Sequence, residues 1–198
     1  MSGARLLQAT LAVATTLLLA VGAGVHAEER LTLPSPQGWQ TLSGLSAGRL
    51  RMSEFAVPGP DGAVDKLTFE WFDHSLAPGL DPLDIGARLA ASLRPNCEDS
   101  SDQHVFAGME NGYPTVVRLL SCTKRRGSDQ GEVLMLKAIR GQSGHWVLVR
   151  GRPVPAFERA AEPIDGSTVI AWTNAFRAIT LCDPEQGDAH PCPATTAP

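Results

Sequence analysis

Arg49-Leu50-Arg51-Met52-Ser53-Glu54-Phe55-Ala56-Val57, the turn Pro58-Gly59-Pro60-Asp61-Gly62, and Lys66-Leu67-Thr68-Phe69-Glu70-Trp71-Phe72-Asp73 decide the fold. Leu50, Met52 and Ala56 alternate with Arg51 and Ser53 in the first run, and Leu67, Phe69 and Trp71 share one face of the second. Period-two alternation on both sides of a Pro/Gly/Asp cluster predicts a β-hairpin, because strand side chains point alternately to opposite faces.

Working toward the amino terminus, Gly44-Leu45-Ser46-Ala47-Gly48 reads as a Gly/Ser turn, and Leu31-Thr32-Leu33 as a short strand broken by Pro34 and Pro36. Toward the carboxyl terminus, Asp81-Pro82 opens a helix. Asp81 can cap it, Pro82 suits its first position, and Ile85, Leu89 and Leu93 recur at helical spacing until Arg94-Pro95. Three strands are expected at residues 104–110, 115–123 and 132–140, with Asn111-Gly112 as a tight turn between the first two. Gly141-Gln142-Ser143-Gly144 is a further hairpin turn, leading into a last strand at Trp146. A second helix is expected from Gly166 or Ser167 to Thr180, with Val169, Trp172, Phe176 and Ile179 as its apolar stripe. The prediction is an α+β fold: an antiparallel β-sheet packed with two main helices and stapled by disulfides.

The chain has 198 residues and a net charge of −4. Its start has the parts of a secretory signal peptide: Arg5, an uncharged run from Leu6 to Val25, and Val25-His26-Ala27 before charged residues. Residues 1–27 are therefore expected to be removed by cleavage after Ala27, the alternative being a retained membrane anchor. Residues 28–192 would form one exported domain and 193–198 a disordered tail. Cleavage leaves 171 residues and a net charge of −5, since Arg5 is the one charge lost. A mildly acidic chain without a long basic run has no electrostatic reason to bind nucleic acid. No second apolar run is long enough to span a bilayer in the mature chain.

Four cysteines in an exported chain point to two disulfides, with three pairings open. The local pairs Cys97–Cys122 and Cys182–Cys192 are preferred, the second because it closes a Pro-rich tail. The rival is a metal site using Cys182, His190 and Cys192, whose spacing matches no established zinc pattern. Neither a metal nor a cofactor is expected.

The short strand before Pro36-Gln37-Gly38-Trp39, the hairpin to Trp71, the helix from Asp81, the long hairpin around Gly141 and the terminal Trp172-bearing helix resemble, in that order, the PsbP-like fold of small exported proteins. The resemblance implies an antiparallel sheet sandwiched by helices and a binding or assembly role. The two disulfides are not part of that pattern.

Candidate chemistry is sparse. Gly44-Leu45-Ser46-Ala47-Gly48 matches the G-x-S-x-G nucleophile elbow, which needs a strand before the serine and a helix after it. Here a strand follows. His145, with Ser143 close in sequence, could serve as a base, although a hairpin end is the simpler reading. Arg150 and Arg152 alternate on the last strand, so both guanidinium groups share one face, either toward solvent or holding a carboxylate of a ligand or partner. Together with Trp71 and Trp146 they are the candidate binding residues. The expectation is a non-enzymatic exported binding or accessory protein, periplasmic or secreted, that recognises another protein. An inhibitor or immunity-type protein and an envelope assembly factor both fit. The alternatives are a small serine hydrolase using Ser46 or His145, and a carrier of a small apolar ligand.

Overall fold

A computed structural model describes residues 29–33, 38–161 and 163–193. The signal segment 1–27, Pro36 and Gln37, and all of the tail beyond Pro193 lie outside the described residues.

The hairpin that decides the fold is present as β3 (Leu50–Pro58) and β4 (Val64–Asp73), paired antiparallel with Phe55 opposite Leu67 and Arg51 opposite Trp71. The segment read as a Gly/Ser turn is instead a strand: Gly44 to Ala47 belong to β2 (Gln40–Ala47), and the chain turns at Gly48. Its polar, small-residue composition hid it, because an outer strand exposed along its whole length needs no apolar alternation. The strands β5 (Ser100–Glu110), β6 (Tyr113–Cys122), β7 (Gln130–Arg140) and β8 (Gly144–Pro155) complete a seven-stranded sheet of order β2-β3-β4-β8-β7-β6-β5. The strands predicted at 104–110 and 132–140 begin earlier than expected, and Asn111-Gly112 makes the β5–β6 turn as predicted. A separate ribbon pairs β1 (Arg30–Thr32) with β9 (Thr180–Cys182), a strand that three residues of sequence could not announce.

Two helices cover opposite faces. Helix α1 (Pro82–Leu93) starts as the sequence dictates, with the Asp81 side chain accepting a hydrogen bond from the Asp84 amide at 2.8 Å. Its Ile85 and Ala90 lie over Leu134, Leu136, Ala138 and Val147. Helix α2 (Gly166–Ala178) buries Trp172 and Phe176 against Leu67, Val117, Met135 and Leu148. Each central strand therefore has its even and odd residues under different helices. Strand residues (49%) far outnumber helical ones (19%) among those described, so the expected α+β class is realised as a mostly-sheet domain.

Both preferred disulfides, Cys97–Cys122 and Cys182–Cys192, are formed. They point to an extracytoplasmic protein, since such staples persist in oxidising compartments. No helix among the described residues is long and apolar enough to cross a membrane.

Candidate functional site

Between β8 and β4 the register sets Trp146 opposite Trp71, and between β4 and β3 it sets Trp71 opposite Arg51. The three side chains form one row across the sheet on the face that α2 covers farther along. The indole rings are 6.4 Å apart and inclined at 58°, and the Arg51 guanidinium carbon lies 4.6 Å above the Trp71 ring. Gly144 permits this arrangement: a Cβ there would stand 2.7 Å from the Trp71 indole nitrogen and 2.5 Å from the Phe72 carbonyl.

Beside the row lies a cleft of about 400 Å³ lined by Glu29, Asp73, Asp183 and Glu185, by Gln142, Ser143 and Gln186, and by Arg51 and the two tryptophans. Four carboxylates face one guanidinium. Glu29 accepts hydrogen bonds from the Gln142 amide at 2.6 Å and the Ser143 amide at 3.4 Å, pinning the β7–β8 turn. Asp183 accepts from the Glu185 amide at 2.9 Å, and Gln186 Nε2 donates to Gln142 Oε1 at 3.0 Å. Hydrogen bonds from Ser75 hold the Asp73 carboxyl below the usual aspartate value, with the Arg49 charge adding to the effect.

The wall carrying Asp183, Glu185 and Gln186 lies in the loop that the Cys182–Cys192 bond closes. Asn111 ties that loop to the β5–β6 turn by donating to the Leu181 and Pro191 carbonyls at 2.7 and 2.9 Å, and His190 stacks on Tyr113 at 4.0 Å. The sequence pointed to the staple and to both tryptophans, but nothing in it joins Glu29, Asp73 and the Asp183/Glu185 pair, which come from three distant stretches of chain.

Arg150 and Arg152 do share a face, but the carboxylate they hold is the chain's own. Asp65, fully buried, accepts from Arg150 Nε at 2.6 Å and Arg152 Nε at 2.5 Å, and Asp61 adds a second partner to Arg152 at 2.5 Å. Both guanidinium carbons stand over Trp172, at 5.3 and 5.5 Å. Helix α2 covers this face, so neither the solvent-face reading nor a role in gripping a partner matches their position.

Ser46 and His145 are not brought together. Ser46 pairs with Arg51 on exposed β2, in the row of Trp71 and Trp146, whereas His145 points to the opposite face and is fully buried. Strand, turn and strand surround Ser46, without the helix an elbow needs. Ser143 Oγ turns to Glu29 at 3.5 Å, while His145 Nε2 contacts His74 Nδ1 at 3.1 Å. Among the described residues no group of three or more His, Cys, Asp or Glu side chains could hold a metal ion.

Next to α2 lies a groove of about 530 Å³, lined among others by Leu119, Val133, Phe157, Ile164, Val169 and Ile170.

No protein-family model matches the chain, and no curated protein does. Among solved structures it is similar to LpqN of Mycobacterium tuberculosis, described as involved in cell envelope biogenesis, with a TM-score of 0.41 and 14% identity over 82% of this chain and 88% of that one.

Proposed function

We propose that this chain is a non-enzymatic accessory protein of the periplasm or extracellular space that recognises a protein partner through the Trp71/Trp146 cleft. One observation carries the reading: two adjoining half-buried tryptophans form the floor of a cleft whose walls hold four carboxylates against one guanidinium. Tryptophan is enriched among residues that dominate binding energy, and indole faces attract cations. Arg51 already occupies the Trp71 ring in this way, so the chemistry suits a partner's lysine or arginine side chain entering beside it. An inhibitor or immunity-type protein and an envelope assembly factor are both forms that such a protein takes. A PsbP-like relationship stays part of the proposal, supported by the order of strands and helices.

The test titrates the mature, oxidised protein with an arginine-rich peptide and a glutamate-rich peptide of equal length, following tryptophan fluorescence. Quenching by the basic peptide alone, abolished in Trp146→Ala with unchanged thermal stability, supports the reading. Equal response to both peptides, or none to either, overturns it.

A second reading, a carrier of a small apolar ligand, is favoured by the groove of about 530 Å³ beside α2, a size that small-molecule sites use. Native mass spectrometry of the exported protein distinguishes it by showing a co-purifying small molecule.

A further inference from the structure

The turn between β7 and β8 carries Gln142 and Ser143 into the cleft wall, and two residues tie it down. Glu29 takes the Gln142 and Ser143 amides. His74, on the single 3-10 turn His74–Leu76 that follows β4, takes the carbonyls. Its backbone amide donates to the Ser143 carbonyl at 3.2 Å, and its ring Nε2 meets the Gly141 carbonyl oxygen at 3.1 Å. The other ring nitrogen, Nδ1, lies 3.1 Å from Nε2 of His145, which is fully buried on β8. His74 itself is half-buried.

The hydrogens of this pair decide what a proton does to it. A carbonyl only accepts, so His74 Nε2 carries a hydrogen, and in the neutral pair His145 Nε2–H donates to the bare His74 Nδ1. An added proton has two places to go. At His145 Nδ1 it is enclosed, with no acceptor among the described residues. At His74 Nδ1 it points at the His145 Nε2–H, and the contact survives only if the His145 hydrogen shifts to the same enclosed Nδ1. Either way the closed pair acquires a buried, unpaired N–H, which is unfavourable. Parting the rings avoids it, and half-buried His74 is the ring with room to move.

We infer that the His74–His145 pair is an acid-released latch: proton uptake parts the rings, frees the Gly141 carbonyl and loosens the turn that brings Gln142 and Ser143 to the cleft. Loss of a partner on acidification rests on the function proposed above, whereas the opening of the turn does not. The surrounding charges agree. Burial, then the His74 and Arg140 charges, push the His145 imidazole down to about 4, against the pull of Asp81 ahead of α1. Beside His74, hydrogen bonds from Ser75 hold Asp73 below the usual aspartate value, with Arg49 adding to the effect, so Asp73 keeps its charge while the latch opens. Glu70 shares the His145 face of the β4–β8 ladder, and burial raises its carboxyl toward the same range.

Amide exchange of the mature, oxidised protein, corrected for intrinsic rates, reads the latch. An opening that takes up one proton grows more frequent by up to about tenfold per pH unit. Gly141, Gln142 and Ser143 should lose protection on that slope below about pH 6.5, while β5 and β6 do not. His74→Ala should leave the turn open at neutral and acid pH alike, and Glu70→Gln should keep the slope. Imidazole nitrogen shifts of the wild-type protein need no variant: His74 Nδ1 should gain its hydrogen in step with the lost protection. Protection of the turn that ignores acid overturns the inference. So does a slope that survives His74→Ala or vanishes in Glu70→Gln, an equal loss across the sheet, or a His74 titration out of step with the opening. The arginine-rich peptide separates the two readings. Weaker binding on acidification, with the pH dependence gone in His74→Ala, supports both, whereas a turn that opens with acid in a protein that never binds the peptide upholds the latch and refutes the partner.

Discussion

His145 Nε2 lies 3.1 Å from His74 Nδ1, and His74 Nε2 lies 3.1 Å from the Gly141 carbonyl oxygen. The carbonyl can only accept, so His74 Nε2 bears the hydrogen and its neutral ring presents a bare Nδ1. His145 Nε2–H donates to that atom, which leaves His145 Nδ1 bare, buried and without a partner. A second proton on His145 would have to sit there, enclosed, near the Arg140 charge and against a His74 ring that repels it whenever that ring is itself charged, with Asp81 the opposing influence.

Burial, followed by the His74 and Arg140 charges, therefore pushes the His145 imidazole down to about 4. In the unfolded chain it titrates near 6.5. Above pH 6.5 both states are neutral and nothing is lost. As pH falls from 6.5 to 4 the unfolded state takes up a proton that the folded state refuses, so stability drops, by up to about 3 kcal/mol. Glu70, whose carboxyl is raised by burial, works against this, since its folded form takes up a proton before the unfolded one as pH falls toward the ordinary glutamate value. Urea unfolding at pH 7 and pH 5 should show the loss, and His145→Gln should flatten it. An equal pH slope in the variant would remove His145 as the cause.

Gly86 lies in the middle of α1, where glycine normally costs about 1 kcal/mol against alanine. A Cβ there would be 2.5 Å from Arg118 Cδ. Arg118 cannot swing away freely, because its guanidinium grips Asp102 from Nε at 2.8 Å and again from Nη2. Gly86→Ala should consequently destabilise the protein, opposite in sign to the propensity rule. Thermal melts would check it, and the double variant Gly86→Ala/Arg118→Met should recover most of the alanine penalty.

Much of this fold was legible because local chemistry announced it. Asp81-Pro82 began a helix, Asn111-Gly112 and Gly141–Gly144 made turns, and the Val169/Trp172/Phe176/Ile179 stripe faced the core. The errors have a common physical origin in burial that depends on distant chain. Exposed β2 shows no alternation, so its second half, Gly44 to Ala47, read as a turn. Arg150 and Arg152 look like a solvent face until α2 is known to lie over them with Asp65 beneath. Lys137 gives no sequence sign that it is fully buried, yet its amine donates to the Phe176 and Ile179 carbonyls at 2.8 and 2.6 Å and pairs with Glu110. The cleft shows the same limit: its tryptophans come from paired strands, but its carboxylates come from residues 29, 73, 183 and 185.

Asp65 is the anion on which two buried arginines depend. Asp65→Asn keeps the shape and removes the charge, leaving Arg150 without its carboxylate and Arg152 with Asp61 alone, the two cations adjoining under Trp172. A loss of about 3–5 kcal/mol is expected, as when one partner of a buried ion pair is deleted. Replacing both arginines by methionine in the Asp65→Asn background should return part of it. Chemical denaturation of the three proteins decides the matter, and a change below about 1 kcal/mol in Asp65→Asn would contradict the network's importance.

The Cys182–Cys192 bond should separate the cleft from the fold. It closes a ten-residue separation at the end of the chain, outside the core beneath α2. In the loop-closure account, removing so short a bridge costs about 2–3 kcal/mol. The double variant Cys182→Ser/Cys192→Ser should therefore still fold, with a lowered melting temperature. The wall bearing Asp183, Glu185 and Gln186 would lose its closure, however, so residues 183–191 should exchange their amide hydrogens faster while β7 and β8 do not. Tryptophan emission should shift to longer wavelength as water reaches Trp71 and Trp146, and the response to a basic peptide should weaken even though both indoles remain. If the variant exchanged uniformly faster across the sheet, the bond would instead be a support of the whole domain. The cleft wall would then have no separate existence for a partner to depend on.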